Sequence, residues 1–123
     1  MKANRPRVII IGGGPGGIAC GIWAARLGLD ALLLEGSGVL GGQLCTVLSP
    51  VTDYPGIPNV DGPALAARFI AHLEQTTVQV RHDCRAAAIE TEPLRLVTAA
   101  GDKLDAEAVI IATGARRRRL GLD

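Results

Sequence analysis

Residues 7–17 read Arg-Val-Ile-Ile-Ile-Gly-Gly-Gly-Pro-Gly-Gly, and residues 31–35 read Ala-Leu-Leu-Leu-Glu. Residues 8–11 form a short, unbroken apolar run, as expected for a strand buried on both faces of a parallel sheet. Gly12, Gly14 and Gly17 follow it in the order Gly-x-Gly-x-x-Gly. Gly12 permits a tight turn, Gly14 lets the backbone approach a pyrophosphate, and Gly17 lets a helix lie close to the strand. The N–H groups at the helix start, around Pro15, Gly16 and Gly17, then face the anion. Residues 31–34 read as a second apolar strand ending at Glu35, whose carboxylate can accept hydrogen bonds from the hydroxyls of an adenosine ribose. Strand, glycines, helix and terminal acid in this order point to an adenine dinucleotide. The acid suits an unphosphorylated ribose and would repel a 2′-phosphate.

Composition sets the limits around this unit. The 123 residues suffice for one domain with its own core, but are short for an oxidoreductase that binds two nucleotides. Trp23, Tyr54 and Phe69 are the only aromatic residues, so the core is aliphatic and a nucleic-acid surface of stacked aromatics is not expected. A net charge of +1 gives no global field toward nucleic acid or membrane. The basic start, residues 1–7, followed by an apolar run imitates a signal peptide. That run, however, breaks after residue 11 into Gly and Pro, and the later apolar stretch contains Arg26. No segment approaches the roughly 20 apolar residues of a membrane span. Cys20, Cys45 and Cys84 show no Cys-x-x-Cys spacing, which fits a reducing, cytoplasmic compartment and no metal site.

Along the chain, residues 15–29 suit a helix ended by Gly28, with Gly14, Gly17, Gly21, Ala24 and Gly28 as a smooth stripe against the sheet. Residues 43–61 read as irregular, broken by Pro50, Pro55 and Pro58. Pro63 opens a second helix through about Glu74, burying Leu65, Phe69, Ile70 and Leu73 and exposing Arg68, His72 and Glu74. Residues 78–81 read as a third parallel strand. Residues 86–92, 94–98 and 103–105 read as an antiparallel meander, and residues 109–112 as a last apolar strand before Thr113-Gly114. The fold class expected is α/β: a Rossmann-type parallel sheet with helices and a small antiparallel β-meander.

Several separated segments resemble one family. The glycine turn, Gly41-Gly42-Gln43-Leu44, Asp53-Tyr54-Pro55-Gly56, Gly62 with its helix, Ala112-Thr113-Gly114-Ala115 and Leu120-Gly121-Leu122 resemble, in order and spacing, the N-terminal part of low-molecular-weight thioredoxin reductases. Those enzymes are pyridine nucleotide-disulfide oxidoreductases, and their relatives include ferredoxin–NADP reductases of the same type. The resemblance implies an FAD-binding half-domain spanning residues 1–123, without the family's NADPH domain, its redox Cys-x-x-Cys or its C-terminal FAD segment. It implies that Gly12, Gly14, Pro15, Gly16 and Gly17 hold the pyrophosphate and Glu35 the ribose. Gly42, Gln43, Leu44 and Thr46 would lie along the flavin portion, and Thr113 and Gly114 would close over the cofactor. No catalytic residue is implied within the chain. Asp53 stands where the family usually has Asn, and the segment between Leu44 and Asp53 is one residue longer than usual.

The resemblance further implies FAD as cofactor, NADPH as donor to the complete enzyme, and a redox protein such as thioredoxin or ferredoxin, or a complementary chain, as partner. The family tends to be homodimeric. A stand-alone dinucleotide-binding module and an inactive remnant needing a partner chain are the alternatives. Cys45 is expected as a buried structural thiol, Cys20 as helix packing and Cys84 at a strand edge or turn. His72 and His82 are expected at the surface, and the basic run from Arg116 to Arg119 as a solvated linker.

Overall fold

The computed structural model describes residues 7–121. The chain runs through β1 (Arg7–Ile11), α1 (Pro15–Arg26), β2 (Asp30–Leu34), a 3-10 turn (Gly42–Thr46), α2 (Gly62–Glu74), β3 (Gln79–Arg81), β4 (Ala86–Thr91), β5 (Leu94–Thr98), β6 (Lys103–Asp105) and β7 (Ala108–Ile111). A parallel sheet of order β3-β2-β1-β7 is joined by an antiparallel sheet of order β4-β5-β6. Both sheets agree with the α/β reading.

Side-chain alternation along β1 and β2 builds two cores on opposite faces of the parallel sheet. Val8, Ile10 and Leu33 point to one face, where they pack with Ile18 of α1 and Leu73 of α2. Ile9, Ile11, Leu32 and Leu34 point to the other and pack with Leu96 of β5. The fold is thus three layers: helices, parallel sheet, meander. Registers such as Ile9↔Leu32 and Ile9↔Val109 hold the central strands together, and β1 is apolar from Val8 to Ile11 because it is covered there on both faces.

Both helices begin and end for local reasons. Pro15 stands in the first turn of α1 behind the Gly14 N-cap, where its missing N–H costs nothing. The helix ends at Arg26, earlier than the pattern suggests. Leu29 N–H donates to the Ala24 carbonyl and Gly28 N–H to that of Ala25, each at 3.0 Å, with Gly28 at φ +75°, a Schellman closure. The Asp61 side chain caps α2 by accepting from Ala64 N–H at 2.8 Å.

Three local expectations need correction. Gly14, Gly17, Gly21, Ala24 and Gly28 are not one stripe against the sheet. Gly14 is the N-cap and Gly28 lies beyond the helix, while a Cβ on Gly21 would meet Leu73 of α2 at 3.1 Å. Residues 43–61 are not wholly irregular, because they hold most of the 3-10 turn and the bridges Val51↔Val60 and Tyr54↔Ile57. The third parallel strand starts at Gln79, because its ladder with β2 begins at the Leu32↔Gln79 pair. The basic start up to Pro6, and Leu122 of the resemblance, lie outside the described residues. Among the described residues no helix is long and apolar enough to cross a membrane.

Candidate functional site

The turn after β1 is shaped by glycines. Gly12 takes φ +109°, and a Cβ there would lie 2.3 Å from the Ala112 carbonyl oxygen of the strand exit beside it. Only glycine fits both the angle and the approach. Gly17 has an ordinary backbone angle but no room: a Cβ would lie 1.7 Å from the Gly12 carbonyl oxygen. The helix therefore sits directly against the turn. Gly14 and Gly16 are different in kind. A Cβ on Gly16 would meet nothing within 4 Å, and one on Gly14 only Gly42 Cα at 3.7 Å. Their backbone borders open space.

That space is a groove of about 1070 Å³ across the carboxyl ends of β1, β2 and β7, where ligands bind in open α/β sheets. Its floor includes Gly12, Gly13, Gly14, Pro15 and Gly16. The first intrahelical bond of α1 runs from Ile18 N–H to the Gly14 carbonyl at 2.9 Å. The N–H groups of Gly16 and Gly17 precede it and have no intrahelical acceptor.

Glu35 is fixed at one end of the groove. Its Oε2 accepts from Gly13 N–H and its Oε1 from Ser37 N–H, both at 2.9 Å. Each carboxylate oxygen retains a lone pair for a further donor. The loop it belongs to is bound to the turn after β3 by three backbone bonds of 2.9 Å: Glu35 N–H to Arg81, Cys84 N–H to Glu35, and Asp83 N–H to Ser37. Gly13 is held on its other side too, its carbonyl accepting from Gly41 N–H at 2.8 Å. The Gln43 side-chain amide donates to the Ala115 carbonyl, joining the 3-10 turn to the segment after β7.

Of the residues singled out from sequence, Gly12, Gly14, Pro15, Gly16, Glu35, Gly42, Gln43, Thr113 and Gly114 line this one groove. Gly17 lies beneath it, and Leu44 and Thr46 are not on its wall. The carbonyl of Leu44 packs against Gly62, where a Cβ would lie 2.1 Å away, and the Thr46 hydroxyl donates back to the Gln43 carbonyl at 2.8 Å. Asp53 is exposed and is not among the lining residues.

Sequence reasoning missed the wall formed by Arg85, Ala86, Ala87, Ala88 and Ile89. Alanines carry no chemical signal, and only the meander's placement brings them to the groove. Cys45 is an exposed residue rather than a buried one, because it sits on the 3-10 turn at the surface, although its Sγ turns back to the Leu40 carbonyl, 3.5 Å away. Cys20 and Cys84 are partly buried in the two cores, and His72 and His82 are exposed. Among the described residues no group of three metal-ligating side chains comes together.

Residues 6–123 match the family described as pyridine nucleotide-disulphide oxidoreductase. A thioredoxin reductase of Listeria innocua is 36% identical over 114 residues, which cover 93% of this chain and 35% of that protein. A glucosaminate ammonia-lyase of Pseudomonas fluorescens is 37% identical over 124 residues, covering 99% of this chain and 38% of that protein. The crystal structure of Lactococcus lactis thioredoxin reductase superposes with a TM-score of 0.87 at 32% identity, over 96% of this chain and 38% of that one. The chain thus spans little more than a third of the length of these relatives. The family match over nearly every residue and the agreement in fold lead to one conclusion: the chain belongs to the pyridine nucleotide-disulphide oxidoreductase family, as a segment like the N-terminal part of thioredoxin reductases.

Proposed function

We propose that this chain holds FAD, as the cofactor-binding half-domain of a thioredoxin-reductase-like, NAD(P)H-dependent flavin oxidoreductase. The observation that carries the reading is the groove floored by bare glycine backbone, with a carboxylate anchored at one end. The residues present fit such a cofactor. Gly12 and Gly14 with the N–H groups of Gly16 and Gly17 would hold the pyrophosphate at the start of α1. The free lone pairs of Glu35 would take the ribose hydroxyls. Gly42 and Gln43 on one wall, and Thr113 and Gly114 on the other, would flank the remainder of the molecule. Leu44 and Thr46 would act by holding the 3-10 turn in place rather than by contact.

When bound, FAD would supply the hydride and electron chemistry. The chain's own contribution is to bind and orient it. In this reading the NADPH site and the acceptor, a disulfide or a redox protein such as thioredoxin or ferredoxin, are provided by further polypeptide. Because relatives with names as different as thioredoxin reductase and ammonia-lyase share this segment, the segment does not choose the reaction or its acceptor.

The test is to incubate the purified chain with FAD, remove free cofactor and record the flavin absorbance, alongside calorimetric titration with ADP. Stoichiometric flavin, or saturable ADP binding weakened by Glu35→Ala, is expected. A chain that takes up neither ligand overturns the assignment.

A further inference from the structure

Arg85 has no role in the family reading above, yet it stands on the groove wall. Its guanidinium lies against Gly36, the residue immediately after the anchored acid. A Cβ built on Gly36 would be 3.7 Å from both Cζ and Nη2 of Arg85, so the guanidinium borders the space that a side chain at position 36 would fill. Among the described residues the guanidinium forms no ion pair. Arg85 is nonetheless held on its backbone side: Cys84 N–H bonds the Glu35 carbonyl, and Ala99 N–H donates to the Arg85 carbonyl at 2.8 Å.

The order of groups along the groove decides what reaches this cation. A pyrophosphate at the start of α1 and a ribose at Glu35 leave the base to continue beyond Glu35, toward Gly36, Ser37 and the Cys84–Arg85–Ala86 stretch, all of which line the groove. A flat, weakly hydrated guanidinium beside a glycine that offers no side chain of its own is a stacking surface for a purine.

We propose that Arg85 is the adenine-contacting residue of this site, its guanidinium stacking on the base of the bound dinucleotide. The assignment rests on the dinucleotide reading and adds to it the group that recognises the base. It requires the plane of the guanidinium, not only its charge.

Calorimetric titration of the wild-type chain, Arg85→Ala and Arg85→Lys with ADP, adenosine 2′,5′-bisphosphate and inorganic pyrophosphate tests it. Arg85→Ala is expected to weaken ADP about 2- to 30-fold and to leave pyrophosphate binding and the thermal midpoint unchanged. Arg85→Lys is expected to recover only part of the loss, since an ammonium has no stacking plane. Equal ADP affinity in the wild type and Arg85→Ala overturns the proposal, as does full rescue by lysine. A loss confined to the 2′,5′-bisphosphate would make Arg85 a reader of a 2′-phosphate and also overturn it. A wild-type chain that binds neither ADP nor FAD removes the dinucleotide reading itself, and this assignment with it.

Discussion

Gly17 in the first turn of α1 rests on the carbonyl of Gly12 so closely that a methyl group built on it would lie 1.7 Å from the oxygen. The obstacle is backbone and cannot rotate aside. Gly17→Ala must therefore push the helix away from the turn, an overpacking that typically costs about 1–3 kcal/mol. A urea-unfolding series should show that loss, together with weaker ADP binding. An unchanged midpoint would mean that the turn is softer than its geometry indicates.

Glu35 serves two backbone donors at once. Replacing it by alanine leaves the partly buried Gly13 N–H without its acceptor, at a cost of about 1–3 kcal/mol. Glu35→Gln keeps one acceptor oxygen and should lose less stability, yet it removes the charge that favours ribose hydroxyls. Measuring chemical denaturation and ADP affinity on both variants should therefore separate them. Alanine should lower both quantities, and glutamine chiefly the second.

Leu96 is fully buried and is the contact of β5 with the apolar face made by Ile9, Ile11, Leu32 and Leu34. Leu96→Ala opens a cavity between the meander and the parallel sheet, with an expected loss of about 2–5 kcal/mol. Hydrogen exchange should then rise in β4, β5 and β6 before it rises in β1.

Lys103 and Glu90 form an ion pair of 2.6 Å across the outer face of the meander. Both side chains are substantially solvated, so the pair is worth about 0–1 kcal/mol. Lys103→Ala should leave the thermal midpoint nearly unchanged. A large drop would show that the meander depends on its charges rather than on Leu96.

The legible parts of the fold were those governed by neighbours in sequence. The run from Val8 to Ile11, the glycine spacing, and the Pro63 opening of α2 each carry their signal within a few residues, and the structure follows them. What stayed hidden depended on distant chain. Gly21 faces α2 rather than the sheet because Leu73 is there to receive it, and no local pattern announces that. The exposure of Cys45 comes from its place on the 3-10 turn, itself tied to Gly13 through Gly41. The groove wall from Arg85 to Ile89 contributes by position, so its alanines looked inert.

The three bonds between the Glu35–Ser37 loop and residues 81–84 have a consequence for protein engineering. The acid's aim is set jointly by two stretches of chain separated by the whole of α2. Transplanting the glycine turn and Glu35 into another scaffold would carry over the sequence motif but leave behind the brace that orients it. A portable version of the site has to travel as two pieces, with the β3–β4 connection included. Loop exchange between relatives at that connection would retune affinity without altering a single residue of the glycine turn.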